Sequence, residues 1–300
     1  MGFERRAPGF DRILRSDSLI ERVATGFGFT EGPVWHEGRL LFADIVNSRI
    51  VSWRRLPEGP EVTTFQAPSN LTNGLTLDRQ GRLLACEGLE RQIARYESDG
   101  TRSSVASSYQ GKRLNSPNDV VVASDGALYF SDPYWADRFV NPYGRSVTAS
   151  DRELSFSGVF RAAPGSEPIP IATDFTFPNG LAFSPDAKTL YVDDSRQMHI
   201  RAFDIRADGT LSSSRVLAEL KADEPGVPDG MKVDTAGNIY CTGPGGVWIV
   251  APSGEILGRI VTPEMPANVG WGEPDWSTLY ITARSSVYRV RLAIPGVPVS

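Results

Sequence analysis

The sequence predicts an all-β protein, a six-bladed β-propeller whose four-stranded blades surround a central channel. Three observations lead there. Glycine (29) and proline (22) are scattered along all 300 residues, and helical periodicity is almost absent. Short runs such as RLLFADI, GALYFSD, TLYVDD, NIYCT and TLYITA are rich in β-branched and aromatic residues, and turn residues bound them, so they read as strands. One pattern, a polar marker followed by two apolar runs around a turn, recurs six times.

Taken in chain order, residues 18–25 (SLIERVAT) come first and are expected to supply an outer strand closing the ring against the last blade. The copies follow as TEGPVWHEGRLLF, TNGLTLDRQGRLL, PNDVVVASDGALY, PNGLAFSPDAKTLY, PDGMKVDTAGNIY and ANVGWGEPDWSTLY. Their markers are Glu31, Asn73, Asn118, Asn179, Asp229 and Asn268, each 11 or 12 residues before Phe42, Leu84, Tyr129, Tyr191, Tyr240 or Tyr280. Further hairpin signals follow, among them SRIVSWRR, RQIARYESDG, MHIRAFDIRADG, GVWIVAPSG and SSVYRVRL. Four short strands per period of about 40–50 residues is the pattern of a propeller blade. A β-sandwich or a pair of small β-domains is the alternative. Because the period holds throughout, residues 1–300 are expected to form one domain. Marker spacings are 42, 45, 61, 50 and 39, and the long gap marks an insert at 132–158 in the third blade. Its Tyr134, Trp135, Phe139 and Tyr143 either wall a binding pocket or pack the insert onto its blade. Trp35, Trp53, Trp248 and Trp271 recur in the blades and are expected in the core.

Composition excludes several functions. The net charge is −5 and no stretch is strongly basic, which argues against a nucleic-acid partner. No apolar run approaches the roughly 20 residues that span a bilayer. The N-terminus does not read as a secretory signal, and with only Cys86 and Cys241 a reducing cytoplasm is expected. Two cysteines and two histidines, His36 and His199, do not suggest a structural zinc site. Neither a G-x-S-x-G elbow nor a P-loop is present.

Equivalent positions on successive blades lie at equal radius, so six markers make a ring. If they precede the innermost strands, the ring lies at one mouth of the channel. Two carboxylates among amide oxygens form a donor set for one hard divalent cation, Ca²⁺ first, with Mg²⁺, Mn²⁺ or Zn²⁺ as alternatives. The competing reading is that Asn and Asp before Gly are turn residues tolerating left-handed backbone. Glu31, in the same slot, is not a preferred turn former.

The motifs EGPVW (31–35), NSPNDVVV (115–122), FPNGLAFSPDAKTLYV (177–192) and PDGMKVD (228–234), in this order, resemble the gluconolactonase, regucalcin and senescence-marker (SMP-30/gluconolactonase/LRE-like) family. The resemblance runs from about Glu31 to Arg291. It implies a six-bladed propeller with one divalent cation in the channel, held by Glu31, Asn179 and Asp229. Asn118 would stand beside it as a further ligand or a substrate contact. The animal aldonolactonase branch has Arg two residues before the position of Asn118. Here it is Ser116, and the NSPNDVVV form looks closer to the bacterial lactonases.

The expected function is opening of a small, sugar-derived lactone. A channel-mouth cation would polarise the carbonyl and activate a water, with Asp229 as general base. Asn118, Asn73, Asn268 and Asp119 are candidates for substrate contacts, and Asp119 equally for a turn role. Two alternatives stand: a phosphotriesterase-like hydrolase of the diisopropyl fluorophosphatase type, and a non-catalytic binding propeller with a structural cation. The sequence does not fix the oligomeric state.

Overall fold

Each of the six repeats folds into a sheet in which consecutive strands pair antiparallel. The computed structural model describes residues 1–134 and 152–299 of the chain. The sheets span residues 30–66, 72–106, 120–175, 178–219, 231–261 and 266–291. In each the first strand is innermost: Thr30–His36, Thr72–Leu77, Val120–Val122, Pro178–Phe183, Met231–Val233 and Pro266–Gly272. Inner strands contact their neighbours around the ring, and the sixth meets the first, so the ring closes. This is a six-bladed β-propeller. Among the described residues no helix is long and apolar enough to cross a membrane.

The blades hold together by apolar side chains facing the next blade, as alternation along each strand dictates. Leu84, Cys86 and Ile93 of the second blade pack with Val120, Phe130 and Phe160 of the third. Leu40, Phe42, Val51 and Trp53 of the first pack with Tyr280 and Val287 of the sixth. Trp248 and Trp271 are buried, and Trp35 stacks on Tyr280 at 5.7 Å, so the blade tryptophans pack the core as expected.

Closure also follows the expectation. Glu21–Thr25 pairs antiparallel with Ser286–Arg291, placing an N-terminal strand outermost on the last blade. Unforeseen is a second strand, Gly2–Arg5, which pairs with Ile256–Val261 and gives the fifth blade five strands. The chain then returns through a short 3₁₀ helix, Pro8–Arg12, whose Phe10 is buried between the last two blades. Of the expected insert, residues 135–151 lie outside the described residues, with Trp135, Phe139 and Tyr143 among them. At its edge the Tyr134 backbone N–H donates to Ser157 Oγ (3.2 Å), and the Arg152 guanidinium lies 4.7 Å from the Tyr134 ring centroid.

Candidate metal and active site

Four of the six markers occupy inner strands, and Asn118 and Asp229 stand two residues before theirs. None adopts a positive φ. The left-handed turn reading therefore does not account for the repeated Asn-Gly and Asp-Gly pairs. The glycine answers to a different demand. Gly74 N–H donates to Asn118 O (2.8 Å) and Gly180 N–H to Asp229 O (2.9 Å), each reaching the next blade's marker. Gly230 N–H likewise donates to Ala267 O (2.7 Å). A Cβ at Gly180 would lie 2.0 Å from Asp229 O, and one at Gly230 1.9 Å from Asn268 Cγ. Inner strands approach so closely here that only glycine fits, and pairing slips at the same point in several blades, for example between Pro178 and Leu181. Gly180→Ala is expected to destabilise the protein by about 1–3 kcal/mol, toward the upper end because the obstacle is backbone. Thermal melting should show a midpoint several degrees lower; an unchanged midpoint would mean the strands separate freely.

The loops feeding the markers are held by acids at the ends of the second strands. Asp44 Oδ1 accepts from Gly28 N and Phe29 N, Asp132 from Asn115 N and Ser116 N, and Asp194 from Thr176 N and Phe177 N. All three acids are buried. Sequence reasoning passed over them, although an acid 13 to 15 residues after each of the first four markers was a readable signal.

Glu31, Asn73, Asn179 and Asp229 line one cavity of about 330 Å³ with Phe29, Ile45, Phe177, Ser195, Arg196, Val227, Met265 and Arg284. Glu31 and Asn179 are buried, whereas Asn73 and Asp229 keep part of their surface open. Glu31 Oε2 accepts from Gly32 N (2.6 Å) and Asn268 Nδ2 (2.8 Å). Asn268 Oδ1 accepts from Val269 N (2.8 Å). Asn268 is thus committed to Glu31 and its own backbone and does not line the cavity. Asn179 donates to Ser195 Oγ (3.0 Å), which donates to Pro228 O (2.6 Å). Ser195, unnoticed in the sequence, ties the Asn179 amide to the segment carrying Asp229. The tie turns Asn179 Oδ1 away, and among the described residues that oxygen has no hydrogen-bond partner, like Asn73 Oδ1.

Asn118 is buried outside the cavity lining, and its Nδ2 has no partner among the described residues. Asp119 is buried too, accepts from Val120 N (2.9 Å) and faces Lys232 Nζ at 3.7 Å.

Electrostatics mark the same place. Burial, with the Asp119 charge adding to it and the bonds from Asn268 and Gly32 opposing, raises the Glu31 carboxyl to about 7. Burial, then repulsion from Glu31, pushes the Asp229 carboxyl well above the usual carboxylate range. Two acids that repel each other beside orphaned amide oxygens fit a hard cation, which would neutralise the one and satisfy the other. Among the described residues no three His, Cys, Asp or Glu side chains cluster as metal ligands, so a cation here would depend on the amides.

The comparisons with known proteins agree with this architecture. The chain is 34% identical over 312 residues to a gluconolactonase of Zymomonas mobilis, covering 95% of this chain and 84% of that protein. It is 29% identical to the pentonolactonase XacC of Haloferax volcanii, covering 87% and 83%. The solved structure of a gluconolactonase from Xanthomonas campestris superposes with a TM-score of 0.87 at 34% identity, covering 97% and 95%. The family described as the SMP-30/gluconolactonase/LRE-like region matches residues 29–285, and the chain belongs to that family.

Proposed function

We propose that the protein is a divalent-cation-dependent lactonase that opens a small, sugar-derived lactone. One observation carries the reading: a single cavity gathers two mutually repelling carboxyl groups, one buried and one partly open, and two orphaned amide oxygens. The relatives support the reaction class, since those from Zymomonas and Xanthomonas are gluconolactonases and that from Haloferax is a pentonolactonase.

Glu31, Asn179 and Asp229 would hold the cation, with Asn73 Oδ1 as a further oxygen donor. Ca²⁺ suits this set best, being hard and tolerant of irregular oxygen coordination. The cation supplies the positive charge that polarises the lactone carbonyl and acidifies a neighbouring water. Asp229, open to the cavity, accepts the proton of the attacking water and returns one to the ring oxygen as the ester bond breaks. Asn268 and Gly32 orient Glu31, and Ser195 orients Asn179. Asn118 stands behind the cavity lining and supports the ring through its backbone, its O accepting from Gly74 N. Phe29, Ile45, Phe177, Val227 and Met265 form an apolar wall that takes the carbon face of the lactone and limits water.

The test is a hydrolysis panel of aldonolactones, aromatic lactones and a fluorophosphate, with and without EDTA. Aldonolactone turnover that stops on chelation and returns with Ca²⁺ is expected. Faster fluorophosphate turnover would move the protein to the phosphotriesterases, and turnover of nothing would leave a binding propeller.

The acids also predict a pH effect. Glu31 sits at about 7 in the fold against an ordinary 4.5. Between those values the metal-free fold binds more protons than the unfolded chain, so its stability falls as pH rises through that window. Asp229, shifted the same way, adds to the fall. A cation binds the deprotonated pair and reverses the loss. The Ca²⁺-induced rise in melting temperature should therefore be small at pH 5 and grow toward pH 8. A rise independent of pH would separate the cation from these acids.

A further inference from the structure

Above the marker ring the cavity carries a second kind of charge. Its lining includes two arginines, Arg196 and Arg284, from blades four and six. Both side chains are exposed, and among the described residues neither guanidinium has a hydrogen-bond or ion-pair partner. That is unusual among the described arginines, most of which are paired: Arg289 with Glu21, Arg201 with Asp174, Arg259 with Glu4 and Glu224. The two turns that present them are fixed. Arg196 N and Gln197 N both donate to Asp194 Oδ1 (2.9 and 3.1 Å), and Met198 N donates to Asp194 O (2.8 Å). Arg284 O accepts from Thr30 N (2.7 Å), and the adjacent Ser285 donates twice to Glu264 Oε2.

Among the described residues the other charged groups lining this cavity are Glu31 and Asp229. A divalent cation cancels those two charges, leaving the mouth with an excess of two positive charges on a protein whose net charge is −5. Unpaired guanidinium groups suit oxyanions, which they bind through charge-assisted and often bidentate hydrogen bonds. A neutral polyol gives them no such partner.

Building on the lactonase reading, we infer that the preferred substrate is an anionic aldonolactone, its charged group at the chain end away from the lactone carbonyl and held by Arg196 and Arg284. A phosphate ester and a sulfonate present the same chemistry, three oxygens around a charged centre. The two arginines are specificity residues: they take no part in bond making, and they orient the lactone by its far end.

The experiment compares kcat/KM for an aldonolactone, its 6-phosphate and its 6-sulfonate in the wild-type protein, Arg196→Gln, Arg284→Gln and Arg284→Lys, all loaded with Ca²⁺. The wild type should favour one or both anionic lactones by at least about tenfold. Each Gln variant should cut the charged-to-neutral ratio by roughly tenfold or more, chiefly through KM, and Arg284→Lys should recover part of it. Raising ionic strength should narrow the wild-type preference. A preference for the phosphate over the sulfonate, or the reverse, identifies the source of the charge. Equal or better turnover of the neutral lactone, or a ratio unmoved in both Gln variants, overturns the inference while leaving the lactonase reading intact. If no lactone is hydrolysed, the lactonase reading fails and calorimetry with 6-phosphogluconate still decides the subsite. Affinity weaker by tenfold or more in the Gln variants supports it, and equal affinity overturns it.

Discussion

Asp229→Asn is expected to bind the cation and to lose at least about a hundredfold in kcat, the lower bound of a typical general-base contribution. The two proposed jobs of Asp229 separate in this variant. An amide oxygen still coordinates a hard cation, more weakly for want of charge, but it does not accept a proton at neutral pH. The assay is kcat on the best lactone at saturating Ca²⁺, with metal occupancy measured in parallel. Asn179→Asp makes the useful contrast. It adds charge where Ser195 now holds an amide at 3.0 Å and removes no base, so it should tighten cation binding and spare more activity. Near-normal kcat for Asp229→Asn at full occupancy would make Asp229 a ligand only. The base would then be sought at Asp119, which is buried beside Lys232.

Glu31→Gln should weaken cation affinity by at least about tenfold to a hundredfold, since loss of a direct ligand's charge should cost no less than loss of a supporting contact. The fold should survive, because the substituted amide keeps an oxygen to accept from Asn268 and Gly32, and the blade cores lie elsewhere. Above pH 7 the metal-free variant should melt no lower than the metal-free wild type. Its neutral amide removes the buried charge that the wild type carries at that pH. Calorimetry reads the affinity and thermal melting the fold. Unchanged affinity would take Glu31 out of the ligand set.

The propeller was legible because its information is local and repeated. Strand alternation, turn residues and the marker slot recur in all six blades, and the closing strand near residues 18–25 follows from the need to complete the last sheet. Gly2–Arg5 was not legible. A short strand with two charged residues has no pattern of its own, and its partner, the edge of the fifth blade, exists only once the ring has formed. In the site, the marker slot could be read from its constant offset of 11 or 12 residues before the matching strand residue, but the division of labour among the markers could not. Asn268 faces Glu31 across 237 positions, and Asn179 faces Ser195 across a bulged hairpin of 16 residues, contacts that no spacing announces. The glycine after the marker shows the same limit. Asn-Gly looks like a turn in one dimension, and only the approach of the neighbouring strand gives its reason. Arg196 and Arg284 sit in turns of unlike sequence, DSRQM and ARSS, so no repeat draws attention to them.

The central claim, a cation held by the marker ring, is tested most directly by a crystal structure of the Mn²⁺-loaded protein with anomalous diffraction from the metal. One strong anomalous peak is expected within coordination distance, about 2.0–2.6 Å, of oxygens from Glu31, Asn179 and Asp229, and none at this place in Glu31→Gln at the same Mn²⁺ concentration. A peak elsewhere, or a fully active protein whose ring holds no metal, would contradict it.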